Sequence, residues 1–388
     1  MPTSRMKTPP LDGLLVLDMS QFLSGPSAAL RLGDLGARVI KVERPETGDI
    51  CRQLYLTDTD VGGDSTLFHA INRNKESFGA DLKDATDRAR VFKLIARADV
   101  VILNFRPGVA ERLGFGYDAL REINPRIVHA SISGYGEDGP WVDLPGQDLL
   151  AQALSGGMWL SGSAGDGPVP FGLSIADMLA GHALMEGILA ALIRRGVTGE
   201  GAEVQTSLFE AMIDLQFEVL TTHLNDGGRP PRRAEVDNAH AYLAAPYGVY
   251  RTADGYLALA MTPLDKLGRL LDMPELGAAA AEPGAAFRDR DAIKRMLSDR
   301  LATGGNVQWL KLLRAADVWC APVLDWPTML DNEAFRRLDM VQTVLRGDGV
   351  AVRTTKTPIR LNGTRTGTGR AAPKVGEHTA ALVREFDL

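Results

Sequence analysis

Short apolar runs alternate with helical patterns through the first third of the chain. Residues 14–18 form a run suited to a strand buried on both faces, and residues 19–26 turn into a helix over 27–35 that ends at Gly36. Residues 38–43 follow as a second strand, which completes a βαβ unit. After a loop-rich stretch at 48–75 the alternation resumes, with helix 85–96, strand 99–104, helix 108–113 and strand 127–132. This order predicts an α/β protein whose large domain is Rossmann-like, built on a parallel sheet. One apolar helix opens at Asp148, a longer one runs over 174–195, and 203–225 carries the three-and-four spacing of another.

A second section begins after Asp226-Gly227-Gly228-Arg229-Pro230-Pro231-Arg232-Arg233, the strongest linker pattern in the chain. Residues 247–260 read as a β-hairpin around Asp254-Gly255, and helical patterns cover 265–271, 289–301 and 307–316. The pattern gives a smaller α+β domain with its linker at 226–330, set within a large domain made of 1–225 and 331–388. Residues 326–337 lead back, 350–362 alternate like strands, and 376–386 form a short amphipathic helix.

Composition narrows the function classes. The 388 residues carry a formal charge of −6, which argues against a nucleic-acid partner held through phosphates. Two cysteines, Cys51 and Cys320, make neither a disulfide framework nor a zinc pattern, and no metal site is expected. Residues 1–10 lack an apolar signal core, and no apolar run approaches the roughly 20 residues that cross a bilayer. The expectation is a soluble cytoplasmic protein with no membrane contact.

Candidate chemistry gathers at strand ends. Arg44 follows the second strand, Asn104-Phe105-Arg106 follow the third, and Tyr135 lies in the glycine-rich turn after the fourth. That edge is where open α/β sheets bind ligands; arginine suits phosphate, and an aromatic ring suits a base. Between Asp18 and Ala28 stands one glycine, Gly25, where a dinucleotide loop wants three, so a nicotinamide dehydrogenase is disfavoured. The cationic cluster Asn72-Arg73-Asn74-Lys75 closes the loop-rich stretch. Asp148 sits between the turn Pro145-Gly146 and an apolar helix, where backbone N–H groups and the helix dipole favour a carboxylate. Taken locally, Asp148 and Asp177 are both ordinary helix N-caps.

In order along the chain stand Gly33-Asp34-Leu35-Gly36-Ala37, Val42-Glu43-Arg44-Pro45, Asn104-Phe105-Arg106-Pro107-Gly108, Glu111-Arg112-Leu113-Gly114 and Ser133-Gly134-Tyr135-Gly136. They continue with Gly146-Gln147-Asp148, Gly187-Ile188-Leu189-Ala190-Ala191-Leu192, Ala245-Pro246-Tyr247-Gly248 and Cys320-Ala321-Pro322-Val323. Together they resemble the class III CoA-transferases, a family that includes alpha-methylacyl-CoA racemase. The resemblance implies a CoA-transferase acting on acyl-CoA and carboxylic acid substrates, as an interlocked homodimer. It also implies coenzyme A at the sheet edge, with Arg44, Asn104, Phe105, Arg112 and Tyr135 on CoA-contacting positions. Lys75 and Arg106 join that set on charge alone. The family mechanism, carried over, makes Asp148 the nucleophile, passing through a mixed anhydride and an aspartyl-CoA thioester. Such chemistry needs a dry pocket and backbone donors, with Ser155-Gly156-Gly157 and Ala239-His240-Ala241 as suppliers or lids; the loop 237–245 lacks the glycines of the transferases. The racemase branch needs a histidine before this aspartate and a second acid matching Asp177. Gln147 holds the histidine's place and its amide cannot shuttle a proton, so transfer is the better reading. A non-catalytic CoA-binding subunit would have no need of Asp148.

Overall fold

Six parallel strands carry the first half of the computed structural model, which describes residues 8–367 and 369–388. They are β1 (Leu15–Asp18), β2 (Arg38–Glu43), β3 (Lys75–Gly79), β4 (Val100–Leu103), β5 (Val128–Ser133) and β6 (Ala202–Ser207). Their order across the sheet is β3-β2-β1-β4-β5-β6, every neighbouring pair parallel. The winding reverses between β1 and β4, so the crevice beyond the carboxyl ends of those two strands is the natural ligand position of such a sheet. Both strands are buried throughout, as their unbroken apolar runs require.

The helices around the sheet include α1 (Ser24–Asp34), α2 (Ala85–Ile95), α3 (Asp148–Leu154) and α4 (Ile175–Thr198). On one side of the sheet, Leu17, Ile40, Phe78, Val101 and Leu94 share a core with Leu382 of the C-terminal helix Thr379–Phe386. Helix α4 packs against α1, β5 and β6. Gly181 allows the close approach to α1, because a Cβ there would lie 2.7 Å from the Ser24 carbonyl oxygen.

The chain divides into two units. The first comprises Met1–Ala151, Ser174–Asp214 and Ala334–Leu388; the second comprises Gln152–Leu173 and Leu215–Glu333. The division therefore falls earlier than the expected linker at 226, and residues 152–173 go with the second unit. That unit holds the antiparallel strands β7 (Gly248–Arg251), β8 (Tyr256–Leu259) and β9 (Cys320–Pro322) in the order β9-β8-β7. The hairpin expected around Asp254-Gly255 is present, with Arg251 opposite Tyr256. Helices α5 (Leu264–Leu271), α6 (Arg290–Leu301) and α7 (Asn306–Ala315) contribute Leu267, Leu297 and Trp309 to a core shared with Tyr250 and Leu257.

Three expectations need correction. Residues 202–207 are not the start of a long helix but the sixth strand, because pairing with β5 overrides the local pattern. The loop-rich stretch contains a helix, Thr66–Asn72, and Lys75 opens strand β3. Finally, α4 has 24 residues and is long and apolar enough to cross a bilayer by composition. Ala180, Leu184 and Ile188 are buried in its packing against α1 and the sheet, while Ile193 and Val197 stay exposed.

Candidate active site

A cavity of about 570 Å³ opens at the carboxyl ends of β1, β4 and β5, within the first unit. Phe22, Leu23 and Ser24 line it from the turn after β1, and Asn104–Pro107 line it from the turn after β4. Gly146, Gln147 and Asp148 close another side, and Ser174 and Asp177 enter from the start of α4. Leu54, Leu56 and Leu67 add an apolar wall.

Two glycines place the first carboxylate. A Cβ on Gly134, just past β5, would lie 2.6 Å from the Gly146 Cα, and one on Gly146 would lie 2.8 Å from the Gly134 Cα. Only backbone faces backbone at that distance, and the contact holds the turn ahead of α3 against the sheet edge. The Tyr135 hydroxyl supports the same turn by donating to the Pro145 carbonyl at 3.2 Å. Asp148 then opens α3 with 7% of its surface exposed.

Asp148 and Asp177 meet at the start of α4. Asp148 Oδ1 accepts the Asp177 backbone N–H at 3.1 Å, so Asp148 caps the first turn of α4 from across the site. Ser174, the residue at the N-cap of α4, makes no side-chain capping bond, and Asp177 is not the N-cap. Instead the Asp177 carboxyl faces the cavity, half-buried, with its pKa pushed up to about 6. Burial is the larger cause and the negative charge of Asp148 the second, while a hydrogen bond from Ser24 opposes both.

The other expected residues divide into three groups. Asn104, Phe105 and Arg106 line the cavity with Asp148. Asn104 also clamps the turn after β1: its Oδ1 accepts the Gln21 N–H at 2.8 Å and its Nδ2 donates to the Gln21 carbonyl at 2.6 Å. Arg44, Arg112 and Tyr135 lie outside the lining, the two arginines exposed and Tyr135 behind the Asp148 turn. Lys75 is corrected outright. Its ammonium is fully buried and donates to Asp18 Oδ2 at 2.7 Å, the Pro26 carbonyl at 2.9 Å and Asn72 Oδ1 at 2.9 Å. All three of its donors are used inside the protein, so it has none to offer a ligand. Ser155-Gly156-Gly157 and His240 belong to the second unit and do not line this cavity.

The sequence reading missed Phe22, Ser24, Leu54 and Leu56. Their available signal was position, since Phe22 and Ser24 occupy the turn after the first strand, at the winding reversal.

CoA-transferase family III matches residues 11–379 of the chain. The chain is similar to the acetyl-CoA:oxalate CoA-transferase of Acetobacter aceti, 35% identical over 97% of this chain and 96% of that protein. It is also similar to the succinate–glutarate CoA-transferase of Agrobacterium fabrum, 33% identical over 98% and 96%. A CaiB/BaiF family protein from Brucella suis has a similar crystal structure, with a TM-score of 0.85 and 32% identity over 98% of this chain and all of that one.

Proposed function

The chain belongs to CoA-transferase family III, enzymes that move CoA between acyl-CoA thioesters and carboxylic acids, and from that premise we propose that the Asp148–Asp177 pair carries the covalent chemistry with Asp177 as the attacking group. One observation carries this assignment: both aspartates line the cavity, but Asp148 Oδ1 is engaged by the amide at the start of α4. A carboxyl titrating near 6 is ionised at neutral pH and more basic than an ordinary aspartate, hence the stronger nucleophile. Burial raises it most, and Asp148 adds its charge while keeping the helix end in place.

In this mechanism an Asp177 oxygen attacks the donor thioester carbonyl and expels CoA thiolate, leaving a mixed anhydride. The thiolate attacks the aspartyl carbonyl, which releases the donor acid and leaves CoA as an aspartyl thioester. The acceptor carboxylate attacks that carbonyl and expels the thiolate again. Attack of the thiolate on the acceptor's acyl carbonyl yields the new thioester and restores the Asp177 carboxylate. Each step uses carboxylate and thiolate nucleophiles, so the scheme needs no metal. Asn104, Phe105 and Arg106 would hold CoA along the turn after β4. Gln147 lines the cavity as an amide whose oxygen accepts the Leu149 N–H at 3.1 Å, and it supplies no second base for racemisation.

Two further parts of the reading rest on the resemblance. An interlocked homodimer is supported by large apolar side chains left exposed on the isolated chain, among them Ile193 and Val197 of α4; light scattering of the purified protein tests it. A cytoplasmic location fits an enzyme of acyl-CoA substrates.

The covalent assignment is tested by incubating the enzyme with acetyl-CoA, trapping with hydroxylamine, and reading the peptides by mass spectrometry. Modification of Asp177 supports it. Modification of Asp148 returns the role to the residue chosen from the sequence, and modification of neither removes the covalent scheme.

A further inference from the structure

We propose that Phe22 is a specificity-determining residue of the transfer reaction, its ring forming an apolar wall beside Asp177 that favours thioesters with a hydrocarbon acyl chain. The inference rests on the reading of this cavity as the transfer site.

Phe22 has a φ of 63°, in the left-handed region that bulky side chains avoid. The other non-glycine residues with positive φ among the described residues are Asn74, Asp237, Asp272, Asp317, Asp339, Asn362 and Asp387. All are Asn or Asp, which tolerate that conformation through their short polar side chains. Phe22 has no such local excuse, so its surroundings must impose the geometry.

They do so from both sides. Asn104 brackets the Gln21 N–H and carbonyl, fixing the peptide immediately before Phe22. Asp49 Oδ1 accepts the Phe22 N–H at 3.3 Å. Asp49 is itself held by Lys41 at 2.7 Å, and Lys41 donates to the Ser20 carbonyl at 3.0 Å. The backbone from Ser20 to Phe22 is thus pinned by buried or half-buried polar groups.

Core packing does not explain this arrangement, because the Phe22 side chain ends 46% exposed. Leu54 and Leu56 line the same cavity at 44% and 70% exposure. Strain that holds an apolar ring on the lining of the cavity that Asp177 also lines, beside Leu54 and Leu56, points to a ligand role for the ring. Two residues further on, Ser24 hydrogen-bonds Asp177, so the ring stands on the same turn as a group touching the reactive carboxyl. Arg106 is the one cation among the described residues lining the cavity, and it is exposed. A hydrocarbon chain finds partners on the Phe22 wall, whereas a second carboxylate there finds none.

The test measures binding by calorimetry in an Asp177→Asn background, where turnover is blocked, with hexanoyl-CoA, succinyl-CoA and free CoA as probes. Phe22→Gly removes the ring and accepts the left-handed backbone without strain. Hexanoyl-CoA should bind about tenfold more weakly, with succinyl-CoA and CoA changing less than about threefold. The melting temperature should hold or rise by about 1–3 °C. Phe22→Asn, which also tolerates positive φ, should repeat the selectivity change and guards against a merely loosened turn. Equal losses for all three probes, or no loss, would overturn the proposal, as would a fall of more than about 5 °C in both variants. If Asp177 escapes trapping while Phe22→Gly still abolishes the preference, the assignment of Asp177 falls and this proposal stands. A trapped Asp177 with unchanged preference removes this proposal alone.

Discussion

Two groups of buried acids sit on the same sheet and are answered in opposite ways. Around β1 and β2, Asp18 pairs with Lys75 at 2.7 Å and Asp49 with Lys41 at 2.7 Å. Glu43 pairs with Arg52 at 2.7 Å, and Asp64 with both Arg52 and Arg346 at 2.8 Å. Four acids meet four bases, all of them buried. Burial alone would raise the Asp18 carboxyl, yet Lys41 and Lys75 hold it below the usual range. At the open edge the neighbour of Asp177 is another acid, and its carboxyl is raised instead. A buried carboxylate matched by cations becomes a fixed strut, while one that shares its burial with a like charge becomes more basic.

Four substitutions test that contrast. Asp177→Asn should cut steady-state CoA transfer by about 10⁴-fold or more, as loss of a covalent nucleophile does; near-normal turnover would end the contrast between the two clusters. Next in size, Lys75→Met should destabilise the fold by about 3–5 kcal/mol in urea unfolding, because Asp18 loses its closest cation. The sign follows from the depressed Asp18 carboxyl. Its contribution is fully present above the unfolded value near 3.9 and is lost as pH falls through the lower folded value, so the deficit of the variant should shrink below about pH 4. Asp148→Asn should reduce transfer about 10- to 100-fold, since a neutral group remains at the helix end. It should also move the acidic limb of kcat/KM, expected near pH 6, to lower pH, because the like charge that raises Asp177 is gone; a limb that stays in place would show burial alone to be responsible. Smallest, Gly134→Ala should cost about 1–2 kcal/mol in thermal unfolding and reduce transfer several-fold. Its new Cβ meets the backbone of Gly146, which has no side chain to move aside.

What the sequence showed and what it hid depended on the range of the interactions involved. Strands β1, β2, β4 and β5 were legible because sheet burial on both faces demands continuous apolar runs. Strand β3 was not: Lys75-Glu76-Ser77-Phe78-Gly79 reads as polar, and its lysine is neutralised by Asp18, 57 positions away. The same separation defeated the assignment of Lys75 to a ligand. Strand β6 was hidden by the helical pattern beyond it. For the site, the edge of the sheet was readable from the strand ends, and the place of Asp148 on the cavity lining from its turn and helix start. The hydrogen bond between Asp148 and Asp177 was not, since each looks locally like a cap and the two lie 29 positions apart. The strain at Phe22 leaves no mark in composition, because Asn104 and Asp49 impose it from distant segments.

Strand β3 is closed along its outer side by residues from the far end of the described chain. The Ser77 N–H donates to His378 Nδ1 at 3.2 Å across a separation of 301 positions, and the Gly79 N–H donates to Thr379 Oγ1 at 2.9 Å. On a ribosome, the unit bearing both carboxylates must therefore wait, its outer strand unsealed and its core lacking Leu382, for a segment about 300 positions downstream of β3. Loss of that segment would bare an unpaired strand edge, the kind of surface on which chains pair with one another.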